Sequence, residues 1–285
     1  MPNPADEAVV TPRLLRAWPL PDPEGDKKDR GTVLIVGGSR DTPGAVLLAG
    51  VAALRSGAGR LQLAVEASTA ASLSIAVPEA KVVSLPERHG DAPDALLELA
   101  AEADVIALGP GLDDVDETAA LMTKVLDAAA ETTAVVLDAY ALGALSTDDG
   151  LLAGRTQPVV LTPNITEAAR LAQQADVGDD LAGTARAIAA RYRAVVALHG
   201  HVAAPDGRCW REESGDVGLA TSGSGDVHAG IVAGLLARGA DAAQAACWAT
   251  FAHAVSGQRL APRYGRTGFL ARELVDEVAY TLAMV

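Results

Sequence analysis

Short apolar runs alternate with helical segments along almost the whole chain, and this alternation constrains the fold more than any other feature. Thr32 to Val36 reads Thr-Val-Leu-Ile-Val with no polar alternation, then passes through Gly37-Gly38-Ser39 into an Ala- and Leu-rich helical pattern from Gly44 to Ser56. A strand without a polar face is buried on both sides, as strands are in parallel sheets covered by helices. The same reading gives strands at Leu61 to Val65, Lys81 to Ser84, Val105 to Leu108, Ala134 to Leu137, Val159 to Leu161 and Val195 to Leu198. Between them it predicts helices at Ser68 to Ile75, Ala92 to Ala101, Glu117 to Ala130 and Leu181 to Arg191, then Gly230 to Arg238, Ala242 to Gln258 and a last one from about Gly268. Strand and helix in turn specify an α/β fold, with helices on both faces of a central, mostly parallel sheet. Pro205-Asp206-Gly207 predicts a hairpin turn before Cys209 and Trp210.

The turns after these strands hold the residues with chemistry. Gly37, Gly109, Asp138, Thr162 and His199 each lie at or just past the carboxyl end of a predicted strand. In an open parallel sheet those ends share one edge, and ligands bind there.

A further segment runs Gly-Leu-Ala-Thr-Ser-Gly-Ser-Gly-Asp-Val-His-Ala-Gly from Gly218 to Gly230 and leads into an apolar helical pattern at Val227, Ile231 and Leu235. The first amides of a helix lack partners within it and favour an anion in front of them. Gly223 and Gly225 allow close approach of backbone to a phosphate, and Ser224 offers a hydroxyl. Asp226 repels an anion unless it takes a proton from a nucleophile attacking that phosphate. The structural alternative is that Ser224 is an N-cap and Asp226 complements the helix dipole.

This segment resembles the signature of the ribokinase-like NAD(P)H-hydrate dehydratases, whose Gly-Met/Leu-Ala-Thr-Gly-Gly-Thr/Ser-Gly-Asp-Val-Leu-Ala-Gly run forms an anion hole followed by a catalytic aspartate. Val33-Leu34-Ile35-Val36-Gly37-Gly38-Ser39, Gly44-Ala45 and Ala53 to Gly59 are similar to the opening of the same family. The resemblance extends from about Lys28 to the end, with departures. Ser222 replaces a glycine, His228 a leucine, Tyr140 the second acid of Asp-Ala-Asp, Asn164 the histidine of Thr-Pro-His-Pro-Gly-Glu, and His199 the lysine of Lys-Gly.

The resemblance implies a ribokinase-like three-layer α/β/α domain over residues 31–285 and ADP- or ATP-dependent dehydration of hydrated NADH or NADPH. It implies that Asp226 is the base, that Gly223, Ser224 and Gly225 hold the developing charge, and that Ala45, Gly109, Gly111 and Asn164 line the hydrate site. It assigns His199, Gly200, His201, Val202, Ala203 and Gly225 to the nucleotide and Glu167 to Mg²⁺, through water. Bacterial members without a fused epimerase domain generally use ADP. Asn164-x-x-Glu167 also looks like the motif of sugar kinases in the wider group, so a small-molecule kinase is the second expectation. A nucleotide-binding protein without turnover is the third, because the departures at Tyr140, Asn164, His199 and Ser222 fall at expected site positions. Asn164 and Glu167 also suit a helix cap, a role compatible with the metal.

Composition narrows the partners. The formal net charge of -14 over 285 residues argues against nucleic acid and membrane surfaces, which attract basic proteins. Cys209 and Cys247 are far apart and without metal spacing, so buried thiols are expected. His199 and His201 have little support as a metal pair, and Trp248 and His253 lie in apolar helical surroundings as core or subunit contacts. Met1 to Val10 lacks signal-peptide character and no run suits a membrane span, so a cytoplasmic protein is expected. Residues 1–30, with Pro2, Pro4, Pro12, Pro19, Pro21 and Pro23, read as an arm laid over the domain or partly mobile. The Ala-rich surface suggests a homo-oligomer, as large as a tetramer.

Overall fold

The chain was described in a computed structural model covering residues 7–22, 26–27, 29–87 and 91–285. Its strands and helices follow in the order β1 (Ala8–Val9), α1 (Pro12–Ala17), β2 (Thr32–Val36), α2 (Pro43–Arg55), β3 (Arg60–Glu66), α3 (Ala67–Ala76), β4 (Ala80–Leu85), α4 (Asp94–Glu102), β5 (Val105–Leu108) and α5 (Val115–Ala128). There follow β6 (Ala134–Leu137), α6 (Tyr140–Thr147), β7 (Val159–Leu161), α7 (Ile165–Leu171), α8 (Leu181–Tyr192), β8 (Val195–Leu198), β9 (His201–Ala203) and β10 (Cys209–Arg211). The helices α9 (Ser224–Ala237), α10 (Ala242–Tyr264) and α11 (Ala271–Ala283) complete the chain.

Every residue of β2 is buried, and period two divides its side chains between two cores. Val33 and Ile35 enter the core shared with α2, α9, α10 and α11, while Leu34 and Val36 enter the one shared with α4 to α8. This is the three-layer α/β/α arrangement, and it explains why the run carries no polar alternation. The strands form one sheet in the order β1-β10-β9-β8-β7-β6-β5-β2-β3-β4. From β4 to β8 every pair is parallel, while β9 is antiparallel to both of its neighbours, β8 and β10. The chain builds β3 and β4 to one side of β2, then crosses to β5 and continues the other way. The crevice beyond β2 and β5 is therefore the topological switch point, the usual ligand position in such sheets.

Helix α9 crosses this point from behind, packing on β2, β5, β6 and α2. Glycines permit the approach. A Cβ at Gly230 would collide with the Ala49 carbonyl oxygen, and one at Gly234 with that of Ala53, both on α2.

The structure fills in the expectation in three places. Residues 7–22 of the expected arm take the first of its two expected forms and lie over the domain, whereas its Pro2, Pro4 and Pro23 lie outside the described residues. β1 adds to the sheet edge parallel to β10, Leu15 is fully buried, and Trp18 stacks on Trp210 with ring centroids 5.7 Å apart. Second, α6 follows Asp138 without having been predicted. Third, His199-Gly200 closes a two-residue hairpin between β8 and β9, both residues having positive φ (46° and 87°), as a type I′ turn requires. The second hairpin turns through Ala204 to Arg208, around Pro205-Asp206-Gly207 as predicted.

Candidate active site

The two glycine turns at the switch point form a single wall. Gly38 N–H donates to the Pro110 carbonyl at 2.8 Å and Ser39 N–H to the Gly111 carbonyl at 2.6 Å. Thr42 Oγ1 donates to the Gly111 carbonyl at 2.8 Å and lies 2.9 Å from Ser39 Oγ. Gly111 has φ 70°, and a Cβ on it would lie 2.9 Å from that of Ala45 at the start of α2. Gly109 (φ 120°) abuts the Asp138 carbonyl so closely that no side chain fits. Ala45, Gly109 and Gly111 are thus brought together at the carboxyl edge of β2 and β5.

The start of α9 completes this edge. The segment before it is fixed by Gly218, where a Cβ would strike the Arg266 carbonyl and the Phe269 ring. Ser222 takes no positive φ, so serine replaces the family glycine there without backbone strain. Gly223, at φ 86° with no side-chain cap, is the N-cap. The alternative of Ser224 as N-cap is therefore not what the chain adopts. Nor does the Ser224 hydroxyl face a ligand: the residue is buried, its Oγ lies 2.8 Å from His253 Nε2, and its amide donates to the Thr221 carbonyl at 3.2 Å. Among the described residues, the amides of Gly225 and Asp226 have no acceptor. Gly225 is exposed, and a Cβ built on it would meet nothing within 4 Å outside its chain neighbours and its own helix backbone, so its side of the turn is open. Of the amides expected to face an anion, those of Gly223 and Gly225 are without an acceptor among the described residues and that of Ser224 is taken, while Asp226 adds a further one.

Three carboxylates converge here. Burial lifts the Asp226 carboxyl to about 6. Asp138, closing β6, is pushed up to about 8 by burial and then by the charges of Asp226 and Glu167, against the bond from Thr162 Oγ1 to its Oδ1 at 2.8 Å. Burial also raises Glu167, against the bonds from Asn164. Asn164 caps α7: its Oδ1 accepts from Glu167 N–H at 2.9 Å, and Glu167 Oε2 accepts from Asn164 N–H at 2.9 Å. The cap reading of this pair is correct, and one Glu167 oxygen is occupied by it. Tyr140, where the family has an acid, begins α6 half-exposed. Among the described residues no group of three or more His, Cys, Asp and Glu side chains is arranged to hold a metal ion.

The residues expected at the nucleotide divide. His199 and Gly200 stand at the hairpin tip on this same edge. His201 Nδ1 lies 2.7 Å from Glu7 Oε1, which also accepts from Cys209 Sγ at 3.4 Å, so the arm occupies that side chain. Val202 and Ala203 are fully buried in opposite cores, and their strand is paired on both edges. Neither offers a ligand a side chain or a free backbone edge, which corrects the expectation for both.

The parts played by two residues were missed by sequence reasoning. Asp138 was placed at the ligand edge but given no role of its own, although its position one β-strand from Thr162 was a usable signal. His253 was read as core, and no motif links it to Ser224, 29 residues earlier. Both cysteines are buried and free, as expected.

A model of the NAD(P)H-hydrate dehydratase family matches residues 33–279. The chain is 48% identical to the ADP-dependent (S)-NAD(P)H-hydrate dehydratase of Xanthomonas campestris over 95% of this chain and 94% of the relative. It is 38% identical to a bifunctional NAD(P)H-hydrate repair enzyme of Moorella thermoacetica, covering 94% of this chain but only 53% of that relative, about half its length. Its structure superposes with TM-score 0.82 on the ADP/ATP-dependent NAD(P)H-hydrate dehydratase of Bacillus subtilis co-crystallised with ATP and Mg²⁺, at 29% identity and with 98% and 99% of the two chains covered. With the switch-point crevice, the open amides at the start of α9 and Asp226 beside them, these likenesses lead to one conclusion: the chain belongs to the ribokinase-like NAD(P)H-hydrate dehydratase family.

Proposed function

We propose that the protein regenerates NADH and NADPH from their hydrates, with ADP as phosphoryl donor in preference to ATP. The observation that carries this reading is the start of α9, where two acceptor-less amides face open space beside a carboxyl lifted to about 6 by burial. Such a group is poised near neutral pH to take a proton. Asp226 removes the proton from the ring hydroxyl of the hydrate as that oxygen attacks the terminal phosphoryl group, and the Gly225 and Asp226 amides hold the charge that develops. The carbon–oxygen bond then breaks, the ring nitrogen supplying electron density, and loss of the neighbouring ring proton restores the double bond. Phosphate and the shortened nucleotide are released.

Ala45, Gly109, Gly111 and Asn164 line the hydrate side in this scheme, and His199 and Gly200 the adenylate side. The residues also suit Mg²⁺. Their donors are hard carboxylate oxygens, and the mutual charge that raises Asp138 is what a cation relieves. Glu167 would hold the ion through water, and the ion would there supply positive charge to the phosphoryl oxygens. ADP is favoured by the activity named for the Xanthomonas relative. The described helices include none long and apolar enough to cross a membrane. We assign the protein to the cytoplasm as a homo-oligomer, a reading supported by the exposed apolar side chains Ile75, Tyr280 and Met284.

The test follows phosphorus. Purified protein is incubated with hydrated NADH, ADP and Mg²⁺, and in parallel with a panel of alcohols and sugars. Inorganic phosphate and AMP appearing in step with NADH support dehydration. A stable phosphate ester on an alcohol or sugar, without NADH recovery, would instead establish a kinase.

A further inference from the structure

The first turn of α9 is fastened from behind. Ser224 Oγ lies 2.8 Å from His253 Nε2 in the middle of α10, and the Ser224 carbonyl oxygen lies 3.1 Å from the same nitrogen. A carbonyl oxygen can only accept, so Nε2 carries the hydrogen and donates it into this turn, shared between the two oxygens. Burial pushes His253 down to about 4 and His228 down to about 3, the latter with help from His253, so both rings are neutral near pH 7. His228, one turn along α9, places its Nε2 3.2 Å from Thr250 Oγ1 on α10, with its ring centroid 5.3 Å from that of His253.

The rest of α9 explains why such a fastening matters. Gly230 and Gly234 seat the helix on α2, but they act further along its length. At the start, the N-cap is a glycine with positive φ and no side chain to bond the first turn. The usual local restraint on a helix terminus is therefore missing where Gly225 and Asp226 must be held most accurately.

We propose that His253 is a positioning residue for phosphoryl transfer: its Nε2–H grips Ser224 and thereby sets the Gly225 and Asp226 amides and the Asp226 carboxylate in their working geometry. The proposal rests on the phosphoryl-transfer reading above. A shift of about 1 Å at reacting groups can lower a rate about 100-fold, whereas one hydrogen bond contributes only a small part of the stability of a fold. Loss of the grip is thus felt in turnover out of proportion to stability.

The test compares wild type with His253→Ala and His253→Gln, since a glutamine amide nitrogen reaches about where Nε2 does. Steady-state kinetics with hydrated NADH and ADP are measured alongside deuterium uptake of the segment 224–230. The expected result is kcat lower by about 10- to 100-fold in His253→Ala, with the ADP KM changed less than about threefold. Uptake in that segment rises, and His253→Gln recovers most of both properties. Unchanged kcat in His253→Ala, or an equal loss in both variants despite native melting temperatures, overturns the proposal. If the wild type itself shows no turnover, the functional reading fails and the grip is judged on uptake alone: faster exchange in His253→Ala restored by His253→Gln supports it, and unchanged exchange refutes it.

Discussion

Asp138 gives the sharpest quantitative prediction. In the native protein its carboxyl is raised from 3.8 to about 8, by burial first and by Asp226 and Glu167 second. Between those values the folded chain keeps a proton that the unfolded chain has lost, so the native state binds more protons and stability falls as pH rises. Each pH unit in that window costs about 1.4 kcal/mol, so going from about pH 5 to about pH 8 costs at most about 4 kcal/mol from this group. Asp138→Asn removes the titration while leaving an Oδ1 to accept the Thr162 hydroxyl, a bond 2.8 Å long in the wild type. The variant should therefore gain on the wild type as pH rises, by up to roughly 8 °C in Tm at about 2 °C per kcal/mol for a chain of this size. Melting curves for both proteins at the two pH values, with a chelator present, measure the difference. A Tm gap of equal size at both would mean that Asp138 ionises alike in the folded and unfolded chain, and would refute the reasoning. Burial alone accounts for the Asp226 shift, so Asp226 titrates while Asp138 is still neutral; the variant should keep the acid limb of its rate profile.

That limb is itself a prediction: with Asp226 as base, kcat should fall on acidification through about 6, and a profile flat to pH 4 would exclude it from proton transfer. Gly225→Ala meets nothing within 4 Å outside its chain neighbours and its own helix backbone, so melting should be unaffected while kcat/KM drops about 10-fold or more because the methyl occupies anion space; unimpaired turnover would show that no anion sits there. Gly230→Ala instead drives a methyl into the Ala49 carbonyl and should cost about 1–3 kcal/mol, read as a lower Tm, and an unchanged Tm would contradict the close seating of α9 on α2.

The sheet was legible because its central strands are buried on both faces. Thr32–Val36 has no polar residue after Thr32, and Val105–Leu108 has none at all, so period and composition agree. The two-residue edge strand Ala8–Val9 is too short for any pattern, and its pairing with β10 depends on a segment about 200 residues away. α6 was missed because it starts straight after Ala139, a non-glycine residue at φ 48° that no cap signal announces. At the site, Gly225 and Asp226 could be found from the loop-to-helix motif. Ser224 misled because a serine before a helix ordinarily caps it, whereas here His253 draws it inward. Val202 and Ala203 were placed at the nucleotide by likeness of position, and the hairpin that buries them became visible only once Leu198 was seen paired with His201.

The central claim is that the open amides of Gly225 and Asp226 and the Asp226 carboxylate carry out one phosphoryl transfer that ends in dehydration. Its most direct test is phosphate release from ADP, and separately from ATP, with Mg²⁺ and hydrated NADH, in wild type and Asp226→Ala. The account predicts one phosphate for each NADH recovered in wild type, a greater rate with ADP, and a loss of about 100-fold or more in Asp226→Ala. Phosphate release that persists in folded Asp226→Ala, or NADH recovery without any phosphate, would contradict it.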